Sequence, residues 1–174
     1  MYNPASEASS CTLECQIGTY SLAGSSGCTT CPAGAYNTAV KSSSCTSCAI
    51  GKFKTLPGAG SCSTCATGKT ISAVAKDACT DCPVGQNKTA VGAGSCAACP
   101  IGTFSLTTGA STCTSCPSGK YKTTTGTGSC NQCLAGTNKS TVGVGTCSQC
   151  PANSYSLIEA SVCEPCASGS KSTA

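Results

Sequence analysis

The chain has 174 residues, 20 of them Cys, and a net charge of +4 with no His, Arg or Trp. Without an imidazole for general-base work or a guanidinium to clamp anions, the composition speaks against an enzyme. The ten cations are all Lys and are scattered, without the clustering and stacking surfaces that nucleic-acid binding needs, and no apolar run reaches membrane-spanning length.

In chain order, the first stretch is MYNPASEASS, which has neither the basic start nor the apolar centre of a signal peptide. Residues 1–14 read as a partial leading unit, 15–166 as tandem Cys-rich repeats, and 167–174 as a partial trailing unit. The chain thus starts and stops inside its own module. That is expected of a mature product or fragment of a longer array, or of a subunit whose half-units complete each other end to end.

The repeats are marked by Cys-x-x-Cys pairs. They stand at Cys28/Cys31, Cys45/Cys48, Cys62/Cys65, Cys79/Cys82, Cys96/Cys99, Cys113/Cys116, Cys130/Cys133 and Cys147/Cys150, a strict step of 17 residues. Cys11/Cys15 and Cys163/Cys166 end the series with slightly irregular spacing. Such dense, even Cys usage implies an oxidising, extracellular or cell-surface location and a disulfide framework through all twenty.

Three residues after the second Cys of each pair comes Gly18, Gly34, Gly51, Gly68, Gly85, Gly102, Gly119, Gly136, Asn153 or Gly169. Glycine and Asn share tolerance of positive φ, so this position predicts a tight left-handed exit from a turn. In Cys31-Pro32-Ala33-Gly34, Pro second and Gly fourth suit a type I turn feeding a short hairpin. Five residues after the same Cys lies a slot that holds every aromatic side chain: Tyr20, Tyr36, Phe53, Phe104, Tyr121 and Tyr155, with Tyr2 in phase. Thr70, Asn87, Asn138 and Lys171 occupy it elsewhere. A ring there is expected to cover a disulfide and the neighbouring turn.

Asn87-Lys88-Thr89 and Asn138-Lys139-Ser140 are N-glycosylation sequons. Both put Asn in the slot, so a glycan is expected to cover what a ring covers elsewhere. The abundant Ser and Thr, as in KTTTGTGS, leave room for O-glycans that no motif localises.

Each unit is too small to bury a useful apolar core, so cross-links must replace it. Two pairings fit the spacing. Either the second Cys of a pair joins the first Cys of the next, as in Cys31–Cys45, leaving Cys11 and Cys166 open. Or consecutive pairs cross-link one-to-three and two-to-four, as in Cys45–Cys62 with Cys48–Cys65. The second pairing leaves no thiol over and makes 34 residues the module; the reading leans to it. Either way the expected fold is an elongated array of small disulfide-rich repeats, with short β-hairpins and turns and almost no helix.

The pattern C-x-x-C-P-x-G-x-[YF] resembles the ephrin-receptor-like Cys-rich repeats over residues 11–169, and is similar to Cys-x-x-Cys-periodic surface antigens of ciliates and other protists. The resemblance implies extracellular, elongated, non-enzymatic modules. Gln16, Ala49, Ala66, Leu134 and Ala167 depart from it in replacing the Pro.

Other chemistries are weaker. A four-thiolate zinc site uses the same Cys order, but the oxidising compartment opposes it. Asp77 and Asp81 flank Cys79 as a sparse calcium candidate and read better as solvated side chains. No catalytic, cofactor-binding or metal-ligating residue is assigned, and no cofactor is expected. The expected function is structural: a rod, coat or filament component, glycosylated, whose partners are its own repeats end to end. The alternative is an adhesive or receptor-type module, which would need an exposed apolar or charged patch.

Overall fold

The structure, a computed structural model, describes residues 14–167. Cys11, Tyr2, Gly169 and Lys171 therefore lie outside the described residues. Among those described there is no helix. Every strand is two residues long, and the strands pair antiparallel into nine separate hairpins. They are Thr19–Tyr20 with Thr29–Thr30 (β1, β2), Ala35–Tyr36 with Thr46–Ser47 (β3, β4), Lys52–Phe53 with Ser63–Thr64 (β5, β6), Lys69–Thr70 with Thr80–Asp81 (β7, β8), and Gln86–Asn87 with Ala97–Ala98 (β9, β10). Thr103–Phe104 with Thr114–Ser115 (β11, β12), Lys120–Tyr121 with Asn131–Gln132 (β13, β14), Thr137–Asn138 with Ser148–Gln149 (β15, β16), and Ser154–Tyr155 with Glu164–Pro165 (β17, β18) complete the series.

The sequence marks explain this layout. The first strand of each hairpin ends on the slot residue, and the second strand is the x-x inside the next Cys-x-x-Cys. Rings, Thr and Ser at these places suit a pleated, half-exposed surface.

Strand geometry also decides the disulfide pairing. Side chains alternate between the faces of a strand, so two Cys three residues apart point to opposite faces. What selects the partner is the hairpin, which brings the second Cys of one pair beside the first Cys of the next, as with Cys31 and Cys45, whose Cα atoms are 5.8 Å apart. The crossed pairing favoured from sequence is not formed: Cys45 and Cys48 bond to Cys31 and Cys62. The nine bonds are Cys15–Cys28, Cys31–Cys45, Cys48–Cys62, Cys65–Cys79, Cys82–Cys96, Cys99–Cys113, Cys116–Cys130, Cys133–Cys147 and Cys150–Cys163. Each closes one hairpin, and the module is 17 residues. Cys166 has no disulfide partner among the described residues. Peptide mapping without reduction should find Cys31 joined to Cys45 and Cys48 to Cys62; peptides joining Cys45 to Cys62 would overturn the pairing.

The turn sits one residue later than expected. Ala35 N donates to Pro32 O, so Gly34, with φ of 77°, is its third residue rather than its fourth. A left-handed third residue is what a type II turn requires, and Asn153, φ 60°, meets it in the last repeat. The residue after the Cys contributes only a carbonyl. That is why Gln16, Ala49, Ala66 and Leu134 can stand for Pro: their carbonyls accept the same bond from Thr19, Lys52, Lys69 and Thr137.

The described residues form two compact units, one running to Thr64 and including Ala73–Ala78, the other holding Cys65–Ser72 and the described residues from Cys79 onward. Inside each unit the repeats are tied by a recurring set of backbone bonds. In the first, Gly58 N donates to Cys31 O and Gly34 N to Lys54 O, both 2.8 Å. In the second, Gly126 N donates to Cys99 O at 2.8 Å and Gly102 N to Lys122 O at 2.9 Å. Each repeat thus binds the next, in the manner of a repeat array.

The interior is unusual. Cys15, Cys31, Cys48, Cys65, Cys82, Cys99, Cys116 and Cys133 are fully buried, yet none of the described Ile, Leu and Val residues is, and only Ile71, 5% exposed, comes close. The rings are half-buried, Tyr155 more exposed still.

Candidate functional site

The first feature is interior and polar. Six residues after the second Cys lies a position that points inward in most repeats. Asn37, Lys54, Ile71, Lys88, Ser105, Lys122, Lys139 and Ser156 occupy it, and all are buried. A buried ammonium is costly unless hydrogen-bonded. Here the hairpin loop curls around it and supplies carbonyls. Lys54 Nζ donates to Leu56 O (2.5 Å) and Gly58 O (2.8 Å), and Lys88 Nζ to Ala90 O (2.6 Å) and Gly92 O (2.9 Å). Lys122 Nζ donates to Gly126 O (2.8 Å) and Lys139 Nζ to Thr141 O (2.5 Å).

Sequence reasoning missed these lysines, although a signal was available. All four repeats with Lys at this position continue Lys-x-x-x-Gly-x-Gly, and none of the others does. The second of those glycines, Gly60, Gly94, Gly128 and Gly145, takes a φ between 101° and 119°. A Cβ on it would stand 3.4–3.9 Å from the lysine Cε, so backbone and side chain are matched. Elsewhere smaller groups serve. Asn37 Oδ1 accepts from Gly18 N, and Ser105 Oγ donates to Thr107 O.

The second feature is the slot and the disulfide beside it. Asn87 and Asn138 are half-buried. Asn87 Nδ2 donates to Ser111 O at 3.2 Å, and its Oδ1 lies 3.3 Å from Cys113 Sγ. Asn138 repeats this geometry, with Nδ2 donating to Ser161 O at 3.1 Å and Oδ1 3.3 Å from Cys163 Sγ. Thr70 Oγ1 likewise donates to Gly94 O at 2.7 Å. A slot residue therefore reaches the loop of the following repeat, and in the two Asn cases it lies against that repeat's disulfide. The sulfurs are unequal: Cys99 is fully buried, whereas its partner Cys113 is half-buried.

The third feature is electrostatic. With four lysines inside, the described surface carries little free charge. Lys41 pairs with Glu14 (2.6 Å), Lys69 with Asp81 (2.5 Å) and Lys120 with Glu159 (3.1 Å). Glu159 also accepts from Gln132 Nε2. Asp81, half of the calcium candidate, is thus committed to an ion pair. No group of three His, Cys, Asp or Glu among the described residues is arranged to hold a metal ion. Eighteen cysteines are in disulfides, which removes the thiolates a zinc site would need.

The family model described as tyrosine-protein kinase ephrin type A/B receptor-like matches the chain three times, over residues 18–65, 68–112 and 102–145. Together the matches cover well over half of the chain. A search of curated proteins gave no match. The likeness to protist surface antigens therefore keeps only the Cys-x-x-Cys period as its support.

Proposed function

Because the chain belongs to the ephrin type A/B receptor-like family of Cys-rich repeats, we propose that it is an extracellular structural segment: a spacer, coat or filament component without enzymatic activity. The observation that carries this reading is the pattern of backbone bonds, in which each repeat binds the next through the same few donors and acceptors. Such bonding propagates one repeat at a time, and a uniform array of this kind grows lengthwise into a rod. The partners are then further repeats end to end, and the covalent additions are N-glycans on Asn87 and Asn138. The absence of His and Arg from the sequence agrees with a non-catalytic role.

A compact chain of this length would have a radius of gyration of roughly 16 Å. Small-angle scattering from the oxidised protein should give a value well above that. A globular value would overturn the rod.

A second reading, an adhesive or receptor-type module, draws on the exposed aliphatic side chains. Leu22, Leu56, Val91, Leu106, Val142 and Leu157 are all more than half exposed. Apolar groups held outward in this number suit contact with another surface. Binding to cells or matrix that survives high salt, and is lost when these residues become Ser, would favour that reading.

A further inference from the structure

We infer that the first sugar attached to Asn87 and to Asn138 is a guard for the disulfide of the following repeat, Cys99–Cys113 and Cys150–Cys163, against thiol reductants. The inference rests on the proposed glycosylation and adds a task to it.

Each Asn amide nitrogen has two hydrogens. One is used in the bond to Ser111 O or Ser161 O. The other is available for substitution. In N-glycosylation the Nδ2–C1 bond forms, the C1–oxygen bond to a lipid-linked pyrophosphate breaks, and Nδ2 gives up one proton. The remaining N–H keeps the bond to the loop carbonyl. The sugar is then attached two bonds from Oδ1, which itself lies 3.3 Å from Cys113 Sγ or Cys163 Sγ.

Reduction of a disulfide needs a thiolate to attack one sulfur while the other leaves as a thiolate, so its rate depends on access to the attacked sulfur. In Cys99–Cys113 the buried sulfur cannot be approached, and attack must come at the half-buried Cys113. A group over Cys113 therefore controls the reaction, whereas in Cys150–Cys163 both cysteines are half-buried and a group over Cys163 closes one of two approaches. Asn is smaller than the Tyr or Phe of other slots, and a sugar extends it. Both sequons fall in the slot, and both Asn residues adopt the same two contacts, which ties the modification to this position rather than to loops in general.

The test uses the full chain from a secretory host. Glycopeptide mapping first reads occupancy at Asn87 and Asn138. Empty sites would end the glycosylation reading and the guard with it. On occupied protein, limited dithiothreitol treatment with alkylation measures the reduction rate of each bond. Thr89→Ala and Ser140→Ala remove each sequon while keeping its Asn, and both positions are exposed. Thr89→Ala should speed reduction of Cys99–Cys113 about fivefold or more, and Ser140→Ala should speed that of Cys150–Cys163 by a smaller factor, with Cys116–Cys130 unchanged. Trimming the glycan to a single N-acetylglucosamine should keep most of the protection. Unchanged rates in both variants, equal acceleration of every bond, or loss of protection on trimming would each overturn the guard while leaving the glycans themselves established.

Discussion

Gly102→Ala is expected to destabilise its unit by about 2–5 kcal/mol, through a left-handed backbone and an overpacked contact together. Gly102 has φ of 76°, and a Cβ there would lie 2.5 Å from Val144 N and 2.6 Å from Gly143 C. Those atoms are backbone, held by the Gly143 N bond to Cys116 O, and cannot swing aside. Gly136→Ala separates the two causes. Gly136 has φ of 78°, but no described atom lies within 4 Å of an added Cβ. It should lose only the conformational part, about 1–2 kcal/mol. Hydrogen exchange of the amides around Gly143, with disulfides intact, reads the difference. Equal losses at Gly102 and Gly136 would mean that the close approach of a repeat to the second repeat after it carries no energy.

Lys122→Met is the next largest, at about 1–3 kcal/mol for leaving a buried carbonyl without its donor. Methionine keeps a similar length and an apolar stem, so the loss isolates the ammonium. Lys122 is 2% exposed, and Gly126 O would lose its 2.8 Å partner. Denaturant unfolding of variant against parent gives the size. An amine-acetylation footprint on the parent gives an independent readout. Lys52 and Lys76 are exposed and should label readily, whereas Lys54, Lys88, Lys122 and Lys139 should resist. Labelling of Lys122 at the rate of Lys52 would place its amine in solvent and remove the basis of the prediction.

The sequence made some features legible and hid others for physical reasons. The 17-residue period, the nine hairpins and the positive φ of Gly34 through Asn153 were readable because backbone demands select residue type at single positions. The turn lies one residue later than Pro next to Cys suggests, because Pro32 is its first member and not its second. The structure uses only that residue's carbonyl, which any amino acid supplies. The disulfide pairing is hidden because both pairings fit the 17-residue spacing, and only the folded hairpin decides which Cys comes within bonding distance. The interior lysines were hidden because Lys alone reads as a surface residue. Only its pairing with Gly-x-Gly, four times out of four, discloses a loop shaped to receive it. Of the slot, sequence foretold the shared position of ring and sequon but not that its occupant touches the next repeat.

The placement of cysteine and lysine inside and aliphatics outside has a thermal consequence. Unfolding here would expose little new hydrocarbon, and hydrocarbon exposure is what raises the heat capacity of an unfolded chain. The increment per residue should fall below the roughly 12–15 cal/mol/K of ordinary globules. The curve of stability against temperature is then broad and flat, and cooling does little to weaken the fold. Such a fold keeps a nearly constant stability from cold to warm surroundings, a property conferred by where its side chains lie rather than by how many there are.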